Sequence, residues 1–131
     1  MAPPRLTVSS VTIGAPDPRA LGAFYARMLS TAVTASEPPE TGEPAEAGWA
    51  QLRAPDGPTL NFEYEREYQA PVWPSAPGRQ QTMEHLDIWV DDLEAATRWA
   101  VECGARLAEV QPQQEVRVLF DPAGHPFCLF T

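Results

Sequence analysis

An internal repeat is the sequence feature that most limits how this chain can fold. Residues 11–17 open an amphipathic stretch, and residues 86–92 repeat it 75 positions later. The turn-forming run Ala-Pro-Asp-Gly at 54–57 is matched 67 positions later by Asp-Pro-Ala-Gly at 121–124. A repeat of this kind indicates copies of one supersecondary unit that pack on each other. Each half is predicted to form a strand, a helix, weaker strands, a turn and a closing strand, which is an α+β fold.

A helix is predicted near the start of each half. In the first half, Asp17 can cap the helix and Pro18 suits its first turn. In the second half, Asp92 takes the N-cap position, and Gly104 suits the left-handed backbone conformation that commonly ends a helix. Apolar residues at helical spacing then form one face of each helix: Leu21, Phe24, Tyr25, Met28 and Leu29, followed by Ala96, Trp99, Ala100 and Cys103. These faces are the predicted core.

Alternation along the strands separates a core side from a polar side. Leu86, Ile88 and Val90 share the side that packs under the helix, and Val11 and Ile13 do the same in the first half. The opposite side is polar or aromatic and faces solvent or a cavity; it carries Ser10 and Thr12, and then His85, Asp87 and Trp89. Hairpins are predicted between 49–53 and 60–64, and between 116–120 and 126–130.

Two segments are predicted to be irregular. The acidic, proline-rich run 37–46 has no apolar face and is expected to be a mobile loop. The connection 66–82, called the strap below, contains Tyr68, Val72 and Trp73 and is too apolar for a flexible linker exposed to solvent. It either packs on the body of the protein or serves as a pocket lid or dimer contact.

Composition excludes several classes of function. The 131 residues carry 18 acidic and nine basic side chains, a net charge of −9, so nucleic acid is not an expected partner. All nine basic residues are arginine, which excludes a Schiff-base lysine and the lysine of a phosphate-binding loop. No apolar run is long enough to cross a membrane and no signal-peptide core is found at the start, so no membrane partner and a cytoplasmic location are expected.

Histidine and cysteine are scarce. The chain has His85 and His125 alone, so three histidines of one chain cannot bind a zinc ion. Cys103 and Cys128 are 25 positions apart without a CxxC motif. We interpret them as reduced core or lining thiols, with a disulfide as the alternative. His125 follows the turn glycine and is predicted to be a solvated turn residue.

The repeated pattern resembles the vicinal oxygen chelate superfamily of glyoxalases, bleomycin-resistance proteins and extradiol dioxygenases. The matching segments are Ala-Pro-Asp-Pro-Arg-Ala-Leu at 15–21, His-Leu-Asp-Ile at 85–88 and Asp-Pro-Ala-Gly-His-Pro-Phe at 121–127. The resemblance implies a single domain over 1–131, with βαβββ modules at about 5–66 and 83–131 and the strap at about 67–82. It also implies a sheet curled into a cup, with the helices outside and any ligand or metal inside.

The resemblance places the family's metal ligands at four positions. Two lie at the first strands, on Ser10 and His85, and two lie on the last strands, on Asn61 and Cys128. His85 is the one family-type ligand among them, since serine and neutral asparagine are poor ligands for a divalent ion. We therefore expect no family metal, with a divalent metal as the less favoured alternative.

These positions define the candidate site. His85 is interpreted as a general base or ligand-anchoring donor tuned by Asp87, or alternatively as a structural histidine bonded to a neighbouring strand. Trp89 would stack on an aromatic ligand, or alternatively contact a second chain. Ser10, Thr12, Asn61 and Cys128 would complete the lining. Arg53 and Arg117 could hold an anionic group or be solvent-exposed.

The leading functional hypothesis is a protein that binds a small aromatic or apolar molecule in the cup without a metal. The alternative is an enzyme of the superfamily, a lyase, isomerase, epimerase or dioxygenase-like protein, with His85 as base or metal ligand. A homodimer is also predicted, because four Trp, three Tyr and five Phe are more than two short helices can cover.

Overall fold

The structure is a computed structural model that describes residues 2–131, and in this range the chain forms two helices and eight strands. The order of elements is the same in both halves, strand, helix, then three strands, which confirms the α+β prediction. The first half contains β1 (Ser10–Ala15), α1 (Pro18–Met28), β2 (Ala35–Glu37), β3 (Trp49–Leu52) and β4 (Thr59–Tyr64). The second contains β5 (Asp87–Trp89), α2 (Leu93–Cys103), β6 (Arg106–Leu107), β7 (Val116–Phe120) and β8 (Pro126–Phe130).

Each half builds its own mixed sheet with the same strand order. The first sheet has the order β1-β4-β3-β2 and the second β5-β8-β7-β6. Thr12 lies opposite Asn61 in the parallel pair β1–β4, and Asp87 lies opposite Cys128 in the parallel pair β5–β8. Thr12 and Asp87 are 75 positions apart, and Asn61 and Cys128 are 67 positions apart, which are the two offsets of the sequence repeat. The sequence repeat is therefore also a repeat of structure. We call the two βαβββ units module one and module two.

The helix ends follow from their capping residues. The Asp17 carboxylate accepts a hydrogen bond from the Ala20 N–H at 3.1 Å, and the Asp92 carboxylate accepts one from the Ala95 N–H at 3.0 Å. Helix α2 stops at Gly104, whose φ of 123° is strained for a residue with a side chain. All these ends were predicted from the sequence.

A single core joins the two modules. Tyr25 of α1 stacks on Phe62 of module one, with ring centroids 5.6 Å apart, and meets Phe127 of module two edge-on at 6.1 Å. Gly22 lets α1 lie close to its sheet, because a Cβ there would be 2.9 Å from the Cβ of Ala50. The modules are therefore held together by aromatic packing.

Both predicted irregular segments are fixed to the body. The Tyr68 hydroxyl of the strap donates to the Ala123 carbonyl at 2.7 Å, and Trp73 packs against the cluster of Ala108, Val118 and Phe120. Arg19 donates to the carbonyl oxygen of Ala45 in the acidic loop and to that of Ala47 directly after it. The strap thus packs on the body, the first of the two alternatives. Across residues 2–131, neither helix has the length and apolar character that a membrane span requires.

Candidate functional site

A cavity lies where the two modules meet, and we call it the inter-module cavity. Its volume is about 580 Å³. Strand β1 forms one wall, and the strap together with the segment 80–86 that leads into β5 forms another. The lining includes Val11, Thr12, Ile13, Gly14, Tyr25, Glu65, Glu67, Tyr68, Gln69, Pro71, residues 80–86, His125 and Pro126.

A buried carboxylate organises the polar end of this cavity. The Asp121 side chain is fully buried and accepts hydrogen bonds from the Tyr25 hydroxyl at 2.8 Å and from Nδ1 of His125 at 2.8 Å. It also accepts from the backbone N–H groups of Ala123 and His125, each at 3.0 Å. The other ring nitrogen of His125, Nε2, lies 2.9 Å from the carbonyl oxygen of Gly14 in β1. These residues, the Asp121 network, connect the turn of module two to module one.

The prediction that His125 is a solvated turn residue is wrong. Its side chain is 21% exposed, because the Asp121 carboxylate that caps the turn also draws the ring inwards. Both ring nitrogens face an oxygen acceptor, and the ring donates to both only when both nitrogens carry a proton. The i, i+4 spacing of Asp121 and His125 was the one sequence signal that could have indicated this pairing.

The buried Asp121 carboxylate also acts on the two tyrosines that line the cavity. Burial, followed by the charge of Asp121 and the hydrogen bond to it, raises the pKa of Tyr25 well above its usual value. Burial and the same charge raise the pKa of Tyr68. Both phenols therefore keep their protons at neutral pH.

A second polar cluster lies on the helix-free face of module two. Nε2 of His85 is 3.2 Å from Oδ1 of Asp87, and one donor atom from each of His85, Asp87 and Cys128 lies within 4.8 Å of the others. Burial, then the charge of Asp87 and a hydrogen bond to it, raises the pKa of the Cys128 thiol. Cys128 therefore carries its proton at neutral pH and is a poor nucleophile.

The same face of module one carries a row of side chains that are hydrogen-bonded to one another. Oδ1 of Asn61 accepts a hydrogen bond from Gln51 at 3.0 Å, and the Asn61 amide nitrogen lies 3.5 Å from the hydroxyl of Thr12. Gln51 in turn accepts from Arg53 at 3.3 Å. Gln51, Asn61 and Thr12 therefore form hydrogen bonds with one another on this face.

The structure divides the predicted site residues into three groups. Thr12 and His85 line the inter-module cavity. Asp87 and Cys128 are not part of the lining but lie next to His85. Asn61 is likewise outside the lining and lies next to Thr12. Ser10 begins β1 opposite Thr59, and Trp89 lies at the end of β5 with 66% of its surface exposed. Within residues 2–131, neither Ser10 nor Trp89 belongs to the cavity lining. Sequence analysis missed that Tyr25, Tyr68 and His125 line the cavity and that Asp121 holds Tyr25 and His125 in place, because these contacts join the modules.

Two βαβββ modules around a shared cavity define a protein of the vicinal oxygen chelate fold. The chain belongs to the glyoxalase-like domain family, whose family model matches residues 10–130. A search of curated protein sequences gives no significant match.

Solved structures support the same fold at low sequence identity. A glyoxalase family protein from Enterococcus faecalis aligns with a TM-score of 0.67 and 21% identity, covering 95% of this chain and 97% of that one. The fosfomycin resistance protein FosX from Listeria monocytogenes, in a complex with Mn(II) and 1S,2S-dihydroxypropylphosphonic acid, aligns with a TM-score of 0.70 and 13% identity, covering 95% and 90%. A glyoxalase/bleomycin resistance protein/dioxygenase family enzyme from Burkholderia phytofirmans has a TM-score of 0.61 and 17% identity, covering 92% and 94%.

The residues at the four family metal positions do not suit an ion such as Mn(II). Ser10 is neutral, and the amide oxygen of Asn61 is already bonded to Gln51. Mn(II) is bound best by carboxylate, carbonyl and water oxygens, whereas position 128 offers a thiol. A metal ligand set that draws on both modules is therefore not preserved in this chain.

The Asp121 network yields a stability prediction. Asp121→Asn removes the charge that His125 and Tyr25 face, and we expect the free energy of unfolding to fall by about 3 kcal/mol. The control is Asp56→Asn, which makes the same change at an exposed position in the corresponding turn of module one. Urea unfolding of both variants measures the difference. Equal losses in the two variants would show that the network does not hold the modules together.

Proposed function

We propose that this chain binds a small molecule with an apolar or aromatic body in the inter-module cavity, through the cavity's own side chains and without a metal ion. The observation that carries the proposal is the cavity itself. Its volume of about 580 Å³ lies in the range of small-molecule sites, roughly 300–1,000 Å³. Its walls combine apolar side chains with a few polar groups, as such sites do; the apolar ones are Val11, Ile13, Pro71, Met83, Leu86 and Pro126.

The charges of the lining favour a ligand that carries an amine or another cationic donor. Glu65, Glu67 and Glu84 line the cavity, and no arginine among residues 2–131 does. The ring of Tyr68 offers a flat surface near these carboxylates, suited to an aromatic or cationic group. Oγ1 of Thr82, also on the wall, is buried without a hydrogen-bond partner in the described part of the chain. A ligand bound beside it could supply that partner.

Paired ligand panels test this proposal. We expect aromatic amines to bind, measured by calorimetry in the presence of a chelator, and matched aromatic carboxylates to bind at least about tenfold more weakly. The double variant Glu67→Gln, Glu84→Gln should lower amine affinity about tenfold, since two partly screened carboxylates each contribute up to about 1 kcal/mol. The variant Glu40→Gln, Glu46→Gln, with the same charge change on the exposed acidic loop, is the control.

Two outcomes would contradict the proposal. One is that no compound of either panel binds. The other is that binding persists unchanged in Ile13→Trp, which fills the cavity from β1.

A second candidate function is catalysis in the same cavity with His85 as general base. The observation that favours it is the 3.2 Å approach of Nε2 of His85 to the Asp87 carboxylate, because an acidic partner can orient an imidazole for proton transfer. His85 also lines the cavity, so its ring can reach a bound molecule.

The enzyme hypothesis predicts conversion of a bound compound. For any ligand found in the panels, NMR spectra followed over time should show a product, as expected of a lyase, isomerase or epimerase. His85→Ala should then abolish turnover while affinity changes by less than about tenfold. Turnover that survives His85→Ala would contradict the role of His85 as the base. The absence of any product would favour the binding function alone.

We further propose that two copies of the chain pair through exposed apolar residues. Leu6 is 86% exposed, Val8 88%, Met83 80% and Trp89 66%. Large apolar groups so exposed are unfavourable in water and commonly mark an interface. The exposure of Trp89 favours a contact between chains over stacking on a ligand.

Light scattering tests the pairing. The chain should have the mass of two copies at micromolar concentration, and Trp89→Glu should shift it to the mass of one. Val101→Glu is the control, since Val101 is also a partly exposed apolar residue, on α2. A native protein with the mass of one chain would contradict the dimer.

A further inference from the structure

We propose that a second cavity, between the strap and the edge of the sheet in module two, binds a small carboxylate with an apolar body through the guanidinium of Arg106. Strap residues 70–74 form one wall of this cavity, and β6, the segment 108–110 and the end of β7 form the other. Its volume is about 430 Å³, within the range of small-molecule sites. We call it the sheet-edge cavity. In the described part of the chain, its lining includes none of the site residues predicted from the sequence.

Strand register fixes the position of Arg106 at this cavity. β6 is the edge strand of its sheet, and Arg106 lies directly opposite Phe120 in the antiparallel pair β6–β7. The Cζ atom of Arg106 lies over the Phe120 ring, 4.4 Å from its centroid, which is a cation–π contact. A guanidinium held over a ring in this way still has N–H groups to donate. Their planar arrangement matches the two oxygens of a carboxylate.

The N–H groups of Arg106 are not used by the protein itself. Among residues 2–131, the guanidinium of Arg106 has no ion pair or hydrogen bond, whereas that of Arg98 pairs with Glu94 at 2.9 Å. The side chains of Arg19 and Arg117 donate to backbone carbonyls. Arg106 is therefore a positioned cation at a cavity wall, with its donors available to a ligand.

Apolar side chains beside Arg106 provide a surface for the body of the ligand. Trp73 of the strap packs against the cluster of Ala108, Val118 and Phe120 and lines the cavity. Val110, also on the wall, is 48% exposed. A short apolar chain that covered Val110 and the Trp73 ring would remove both from water, which favours binding.

Both walls are held in place by hydrogen bonds. The Gln111 side-chain amide donates to the carbonyl oxygens of Ala108 and Val118, each at 2.9 Å, and its oxygen accepts from the Val118 N–H at 2.9 Å. The segment 108–111 is thereby fixed to β7. On the strap, the Val72 N–H donates to the carbonyl of Gln80 at 2.9 Å. A site whose walls are already ordered has a smaller entropic cost of binding.

One negative charge opposes a carboxylate in this cavity. Glu109 lies in the lining and is exposed to solvent. Its charge is screened by water, and no side chain of residues 2–131 forms an ion pair with it. Arg106, in contrast, is held over the Phe120 ring. We therefore expect the fixed cation to determine the sign of the ligand, and Glu109 to reduce the affinity slightly.

Calorimetry with a matched pair of compounds tests the proposal on the full-length protein. Octanoate and octanamide have the same apolar chain, and octanoate alone carries a charge. We expect octanoate to bind at least about tenfold more tightly than octanamide, because hydrogen bonds between charged groups are the stronger ones. In NMR spectra, the indole N–H signal that is missing from Trp73→Phe should shift when octanoate is added.

Two arginines supply a matched pair of variants. Arg106→Gln should lower the octanoate affinity about tenfold, to that of octanamide, whereas Arg98→Gln, on α2, should leave it unchanged. Glu109→Gln should raise the octanoate affinity about twofold, since it removes the opposing charge. Urea unfolding of each variant verifies that the protein stays folded.

Four results would overturn the proposal. They are no binding of octanoate, equal affinities for octanoate and octanamide, octanoate affinity that is unchanged in Arg106→Gln, and loss of octanoate binding in Ile13→Trp. The last variant fills the inter-module cavity and leaves the sheet-edge cavity intact, so it separates this proposal from the proposed function. Repeating the ligand panels in Arg106→Gln keeps any carboxylate bound at the sheet edge out of the comparison made for the inter-module cavity.

Discussion

The arrangement of the candidate site depends on one buried carboxylate. Asp121 bonds to Tyr25 of module one and to His125 of module two. A fully buried carboxylate is expensive unless every oxygen lone pair finds a donor. Here Tyr25 comes from module one, while the His125 ring and two backbone N–H groups come from the turn of module two. Three of these four donors belong to the same turn as Asp121, and the Tyr25 hydroxyl is the donor whose contact depends on how the two modules are oriented. The cavity between them is thereby defined in shape as well as in charge.

The two modules have diverged most at their polar faces. The pair Thr12–Asn61 and the pair Asp87–Cys128 occupy equivalent places in the two sheets. The first pair is neutral and bonded within itself, and the second contains an acid and a thiol next to His85. The same backbone geometry therefore presents two different sets of side chains, one neutral and one with an acid and a thiol beside an imidazole.

Local features of the fold were predictable, and contacts between the modules were not. The caps at Asp17 and Asp92 follow from residues next to each other in the chain, and so does the core side of β5. His125 was misread because its partner at Nε2, the carbonyl of Gly14, lies 111 positions away and carries no side-chain signal. The inter-module cavity escaped prediction for the same reason, since it arises from how the two modules are oriented. The placement of His85, Asp87 and Cys128 on the helix-free face of module two could be predicted. Strand alternation puts His85 and Asp87 on that face, and the sequence repeat puts Cys128 at the place that Asn61 has in module one.

The strap is at once the link between the modules and a wall of the cavity. Tyr68 fixes it to Ala123, and Trp73 fixes it to the sheet of module two. A molecule that binds in the cavity against the strap stabilises the packed state of the strap over an open state that lacks these contacts. Cleavage of the strap by a protease requires the open state. Occupancy of the cavity and resistance of this connection to proteolysis are thus linked quantities, and digestion rate becomes a measure of ligand occupancy.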